Sequence, residues 1–74
     1  MNEIKISEKD FWRIKCEIGA AYNIYYDYPM NKLLNYDKIS INNYRPSYMA
    51  DFYGWFIEFK TAEDKTNFIL RWMD

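Results

Sequence analysis

The chain has 74 residues, a mass of 9.2 kDa and a formal charge of -1, from ten Lys plus Arg against eleven Asp plus Glu. A polypeptide this short buries only about 60% of its extended surface and makes one domain, residues 1–74, and a near-neutral charge offers no basic field to nucleic acid or anionic lipid. Half of the residues are hydrophobic and 22% aromatic, too many for a disordered tail; His is absent and Cys16 is the only thiol, which removes the commonest general base, an internal disulfide and a Cys-rich zinc site.

Residues 2–6 alternate, with Ile4 and Ile6 on one side against Glu3 and Lys5 on the other, and this predicts a short half-buried strand. Ser7-Glu8-Lys9-Asp10 reads as a capping box opening a helix. Phe11, Ile14, Ile18, Ala21 and Tyr25 follow at spacings of three and four, one apolar stripe for a core. Gly19 weakens that helix unless another backbone needs the space, and Pro29 disfavours helical geometry at Tyr28, so the helix is expected to stop near Tyr26.

Pro29 can open a short second helix over Met30 to Asn35. Lys38 to Tyr44 alternates again, Ile39 and Ile41 inward and Ser40, Asn42 and Tyr44 outward, as a second strand; Arg45-Pro46-Ser47 is expected to break it into a loop. Asp51 to Lys60 is the strongest strand pattern, with Tyr53, Trp55, Ile57 and Phe59 on one face and Phe52, Gly54, Phe56, Glu58 and Lys60 on the other. Strands two and three should form an antiparallel hairpin. Thr61-Ala62-Glu63-Asp64 repeats the cap, and Ala62, Thr66, Ile69 and Met73, with Phe68 and Trp72 alongside, give a final helix its apolar side to the end of the chain. The expected class is therefore α+β, in the order β-α-(α)-β-β-α, with a three-stranded antiparallel-type sheet and two main helices on one face. Its topology resembles a ferredoxin-like half-sandwich lacking a last strand, a likeness that carries no function.

Helices on one face leave the other face of the sheet uncovered, and the third strand carries large aromatics on both. Phe52 and Phe56 point away from the helices, each forgoing about 1.5 to 3 kcal/mol of burial, so a partner or a second copy is their expected destination unless the Asn42 to Ala50 loop folds over them. Tyr44, Arg45 and Tyr48 in that loop have the composition of an interface hot spot, and Tyr26 and Tyr28, off the helical stripe, are further contact candidates. Part of the tyrosine excess has a blander origin: Ile, Asn, Lys and Tyr make 31 of the 74 residues while Val and Gln are missing, as AT-rich coding produces. As an alternative, Phe52, Phe56 and Tyr44 would form a stacking platform for single-stranded RNA or DNA, with Arg45, Lys5, Lys38 and Lys60 reaching phosphates, although Glu3, Glu58 and Asp51 oppose a phosphate backbone. No catalytic residue, metal spacing, phosphate loop or cofactor motif is found.

The C-terminal third, Phe56-Ile57-Glu58-Phe59-Lys60 through Glu63-Asp64 to Phe68-Ile69-Leu70-Arg71-Trp72, resembles the strand-to-helix ending of small accessory proteins encoded by T-even-like tailed phages. That resemblance implies early expression in infection and binding to a host or rival defence protein, often as a stoichiometric inhibitor. It carries over no catalytic residue. The expectation is a non-enzymatic binding protein that modulates or inhibits such a target by occlusion through Phe52, Phe56, Tyr44, Arg45 and Tyr48. The alternatives are a single-strand nucleic-acid module and a homodimeric structural protein. With no secretory leader in Met1 to Lys5 and no stretch of about 20 apolar residues, the expected location is the cytoplasm, that of the host cell if the gene is a phage's, and no membrane partner is expected.

Overall fold

A computed structural model describes residues 2–73; Asp74, to which the last helix was expected to run, lies outside them. Strand β1 spans Glu3–Ser7, helix α1 Glu8–Tyr22, helix α2 Met30–Asn35, strand β2 Ile41–Met49, strand β3 Phe52–Phe59 and helix α3 Ala62–Phe68, which widens into a π-helical turn over Ile69–Met73. The sheet order is β1-β3-β2 and both pairings are antiparallel, so β1 and β2 flank the strand that follows them in sequence. This is the α+β arrangement that the alternating and helical patterns imply.

The helix starts are those read from the sequence. The Ser7 hydroxyl accepts from the Asp10 amide at 3.1 Å, and Thr61 Oγ1 accepts from the Asp64 amide at the same distance. Asp10 does not answer back to the cap; its carboxylate takes the Arg13 Nε instead, at 3.4 Å. α1 ends four residues earlier than Tyr26, because Asn23 adopts the left-handed conformation (φ 54°, ψ 50°) that a short polar side chain tolerates, and the Ile24 amide returns to the Gly19 carbonyl at 2.9 Å. Phe11, Ile14 and Ile18 are buried as the stripe requires; Ala21 and Tyr25 are not, since the helix stops before its phase can carry Tyr25 inward. A Cβ on Gly19 would stand 2.8 Å from the Ile24 carbonyl oxygen and 3.3 Å from the Tyr26 nitrogen, so the backbone that needs its space is the chain's own return. Pro29 sits at the N-cap of α2 rather than in its first turn, its carbonyl accepting from the Lys32 and Leu33 amides.

β2 departs most from expectation. It runs unbroken through Arg45, Pro46 and Ser47 to Met49, and a two-residue turn, Ala50-Asp51, joins it to β3; the expected Asn42 to Ala50 loop does not exist. Proline is tolerated because β2 is an edge strand and Pro46 falls where the missing amide would have faced outward. A bulge between Ile41 and Asn43 adds a residue to the alternation, so Ile41 and Tyr44 both face the helices. Tyr44 therefore points opposite to the expected direction.

Both main helices cover the face of β3 that bears Trp55, Ile57 and Phe59. Phe11 of α1 stacks on Trp55 with ring centroids 4.1 Å apart and planes 8° from parallel, and Phe68 of α3 meets Phe59 at 5.2 Å. Ile6, Ile14, Ile18, Met30, Leu33, Leu34 and Ile39 complete the core between these contacts. In the last helix the buried positions are Phe68 and Trp72, four residues apart, whereas Ala62 and Thr66 of the expected stripe are exposed.

Candidate functional site

Cross-strand register sorts the candidate residues onto two faces. On the open face, away from the helices, Glu3 opposes Glu58, Lys5 opposes Phe56, Ser7 opposes Gly54, and β2 adds Asn43, Arg45, Ser47 and Met49 opposite Glu58, Phe56, Gly54 and Phe52. Phe52, Phe56 and Arg45 thus share a surface. Tyr44 and Tyr48 lie on the other one, beside Ile57 and Tyr53. Tyr44 packs into the core margin 5.9 Å from Trp55 and 6.4 Å from Phe11.

On the open face the two phenylalanines are half-buried, and what covers them is not a loop. Their rings lie 6.0 Å apart. Lys5 Nζ stands 5.3 Å from the Phe52 centroid, and the Arg45 guanidinium carbon 4.7 Å from that of Phe56. Arg45 reaches across β3 to Glu3 on β1 at 3.0 Å, roofing Phe56, while Asn42 donates to Glu58 at 3.3 Å. Each cation gains a ring face and each ring loses water contact, an arrangement worth about 0.5 to 1 kcal/mol per pair at a surface. The row Ser7, Gly54 and Ser47 leaves a gap that the Phe52 ring fills: a Cβ on Gly54 would stand 2.6 Å from Phe52 Cζ and would collide with the Ile6 carbonyl oxygen.

The hairpin outruns the rest of the sheet. β1 pairing ends at Ser7 and Gly54, so the last two cross-strand pairs, Tyr48 with Tyr53 and Met49 with Phe52, have no third strand beside them. Tyr48, Tyr53 and Met49 are 70%, 63% and 59% exposed, and the two tyrosine rings face each other at 6.4 Å. Met49 and Phe52 form the opposite side of this two-stranded arm. Tyr53 and Met49 went unmarked by composition; the signal that finds them is length, a five-residue first strand against a hairpin of nine and eight.

Tyr26 and Tyr28 are exposed in the segment that returns from α1 to α2, where the Tyr25 and Tyr28 rings lie 6.5 Å apart. No hydrogen bond or ring contact joins them to the hairpin among the described residues. Beside this segment Lys15 is buried, its ammonium 4.7 Å from the Trp12 ring and 5.7 Å from that of Phe11. Loss of hydration lowers its pKa below the ordinary lysine value, an effect that the charge of Asp27 partly offsets.

A second polar group was invisible in sequence. The Asp37 side chain, 1% exposed, accepts from the Tyr22 hydroxyl and from Trp72 Nε1 at 2.7 Å, and Arg71 lies 3.0 Å away. The Tyr22 hydrogen bond raises that phenol above the usual tyrosine range. Arg13 adds a bond to the Trp72 carbonyl at 3.3 Å. Asp37 thereby ties α1, the α2–β2 connection and the final turn together, which makes it a structural clasp.

No group of three or more potential metal ligands occurs among the described residues, and none of the described helices is long and apolar enough to cross a membrane. Comparison with protein-family models, with curated proteins and with solved structures returned no match.

Proposed function

We propose that this chain is a small non-enzymatic binding protein whose contact surface is the projecting hairpin arm, Tyr48, Met49, Phe52 and Tyr53, continued on the open face by Phe56 and Arg45. The observation that carries this reading is the exposure of three large side chains on an arm that extends past the end of β1 pairing. Large amphipathic rings with few rotors bind at low entropic cost, and Tyr and Arg dominate interface hot spots. A standard interface takes about 800 Å² from each partner. That is roughly one sixth of the 4982 Å² this molecule exposes. Tyr44 leaves the proposed surface because it packs against Phe11 and Trp55. Tyr26 and Tyr28 stand outside it.

The resemblance to phage accessory proteins directs the search for a target toward a host or defence protein in the host cytoplasm, which the arm would occlude. Single-strand nucleic-acid binding is less favoured: Lys5 and Arg45 already cover the phenylalanine rings, Arg45 is paired with Glu3, and Glu58 lies alongside. The test is affinity capture from host lysate with the wild-type chain and with Tyr48→Thr/Tyr53→Thr, which exchanges two exposed rings for β-branched residues that also favour strands. The proposal expects specific retention of a protein by the wild type and its loss in the variant with unchanged circular dichroism. Equal retention by both defeats it.

A further inference from the structure

The two edges of the sheet differ in a way that points to self-association. In an antiparallel ladder, pairs that exchange both hydrogen bonds alternate with pairs that exchange none. The Phe59 amide donates to the Asn2 carbonyl at 2.6 Å, so the bonded pairs along β1 continue at Ile4 with Ile57 and Ile6 with Trp55. Glu3 and Lys5 consequently turn their amides and carbonyls away from β3, toward a side of β1 that carries no strand among the described residues. By the same alternation β2 turns Tyr44, Pro46 and Tyr48 outward. There Pro46 has no amide and the bulge at Ile41 and Asn43 bends the strand, two devices that blunt an edge against pairing. β1 has neither.

We infer that β1 pairs antiparallel with β1 of a second copy of this chain, about a two-fold axis normal to the sheet. The sequence selects the register. Outward-turned residues (Glu3, Lys5 and Ser7) must pair with outward-turned residues, and the registers that set the two charged positions against each other or against themselves are Glu3 against Glu3, Glu3 against Lys5, and Lys5 against Lys5. Only the second sets opposite charges face to face, and symmetry supplies it twice. It also centres the axis on Ile4, whose half-buried side chain then meets its own copy in a close non-bonded pair. The product is a continuous six-stranded sheet with all helices on one face and a hairpin arm projecting at each end. This inference is independent of what the arms bind.

The experiment is sedimentation equilibrium of the full chain over a wide concentration range, with Lys5→Pro, Glu3→Lys, Lys5→Glu and an equimolar mixture of the last two. The wild type is expected to reach twice the 9.2 kDa monomer mass as concentration rises. Lys5→Pro, which removes an outward-turned amide together with the ammonium beside Phe52, should remain monomeric with unchanged circular dichroism. Each charge variant opposes like charges in its own dimer and should be monomeric. The mixture sets the two lysines of one variant against the two glutamates of the other, and should recover the doubled mass. If the proline variant fails to fold, the charge variants decide the matter alone. A wild type that stays monomeric at millimolar concentration, or a mixture no heavier than its components, overturns the inference.

Discussion

Replacing Asp37 with Ala removes the acceptor for two donors, the Tyr22 hydroxyl and Trp72 Nε1, at a side chain only 1% exposed. The Tyr22 hydroxyl is part of a half-buried residue and can turn to water, and Arg71 is about half exposed, so neither loss adds much. Trp72 is 8% exposed, and its indole N–H has no such recourse. A hydrogen bond to a charged acceptor is worth about 1.5 to 3 kcal/mol, which sets the cost of Asp37→Ala at about that value. Total stability for a chain of 74 residues is roughly 4 to 11 kcal/mol, so the variant should lose a large share of it. Urea titration followed by tryptophan fluorescence reads this directly, as a lowered midpoint with an unchanged slope. Adding Trp72→Phe, which deletes the indole donor, completes a double-mutant cycle whose coupling should fall in the same range of about 1.5 to 3 kcal/mol. A cost below about 1 kcal/mol for Asp37→Ala, or additive single effects, would refute the clasp.

Gly54→Ala places a methyl group against the Ile6 carbonyl and the Phe52 ring, and should cost about 1 to 3 kcal/mol by overpacking. A thermal midpoint equal to that of the wild type would contradict the close approach. Lys15→Met keeps the apolar stem beside Trp12 and Phe11 while removing an ammonium that burial disfavours, so its midpoint at neutral pH should equal or exceed that of the wild type. The pH dependence has a definite sign. Because folding lowers the Lys15 pKa, the wild type has its full stability above the ordinary lysine value and loses part of it as pH falls through the lowered folded value. The stability difference between the two proteins should therefore narrow at alkaline pH; a difference independent of pH would contradict the burial argument.

Local patterns were enough to place β3, the two helix caps and the α+β order. The aromatic-rich run from Phe52 to Phe59 and a hydroxyl three residues before a carboxylate each act within a few residues. What sequence could not show depended on neighbours in space. Pro46 breaks a central strand but not an edge, and edge status follows from the sheet order. The bulge that turns Tyr44 inward is one inserted residue between Ile41 and Asn43, with no composition cue to mark it. Asp37 looks like any polar loop residue until α1 and the final turn converge on it. For the candidate surface, the open-face direction of Phe52 and Phe56 was legible, but their cover by Lys5 and Arg45 was not, since it requires the register that sets β1 and β2 on either side of β3.

The most direct test of the hairpin arm as the binding surface is hydrogen exchange of this chain alone and bound to a captured protein. Exchange reports residue by residue where a partner excludes water and stabilises backbone hydrogen bonds. The arm proposal predicts new protection concentrated at residues 48–53, with the segment from Tyr25 to Tyr28 unchanged. Protection confined to that tyrosine segment, with the hairpin exchanging as freely as before, would contradict it.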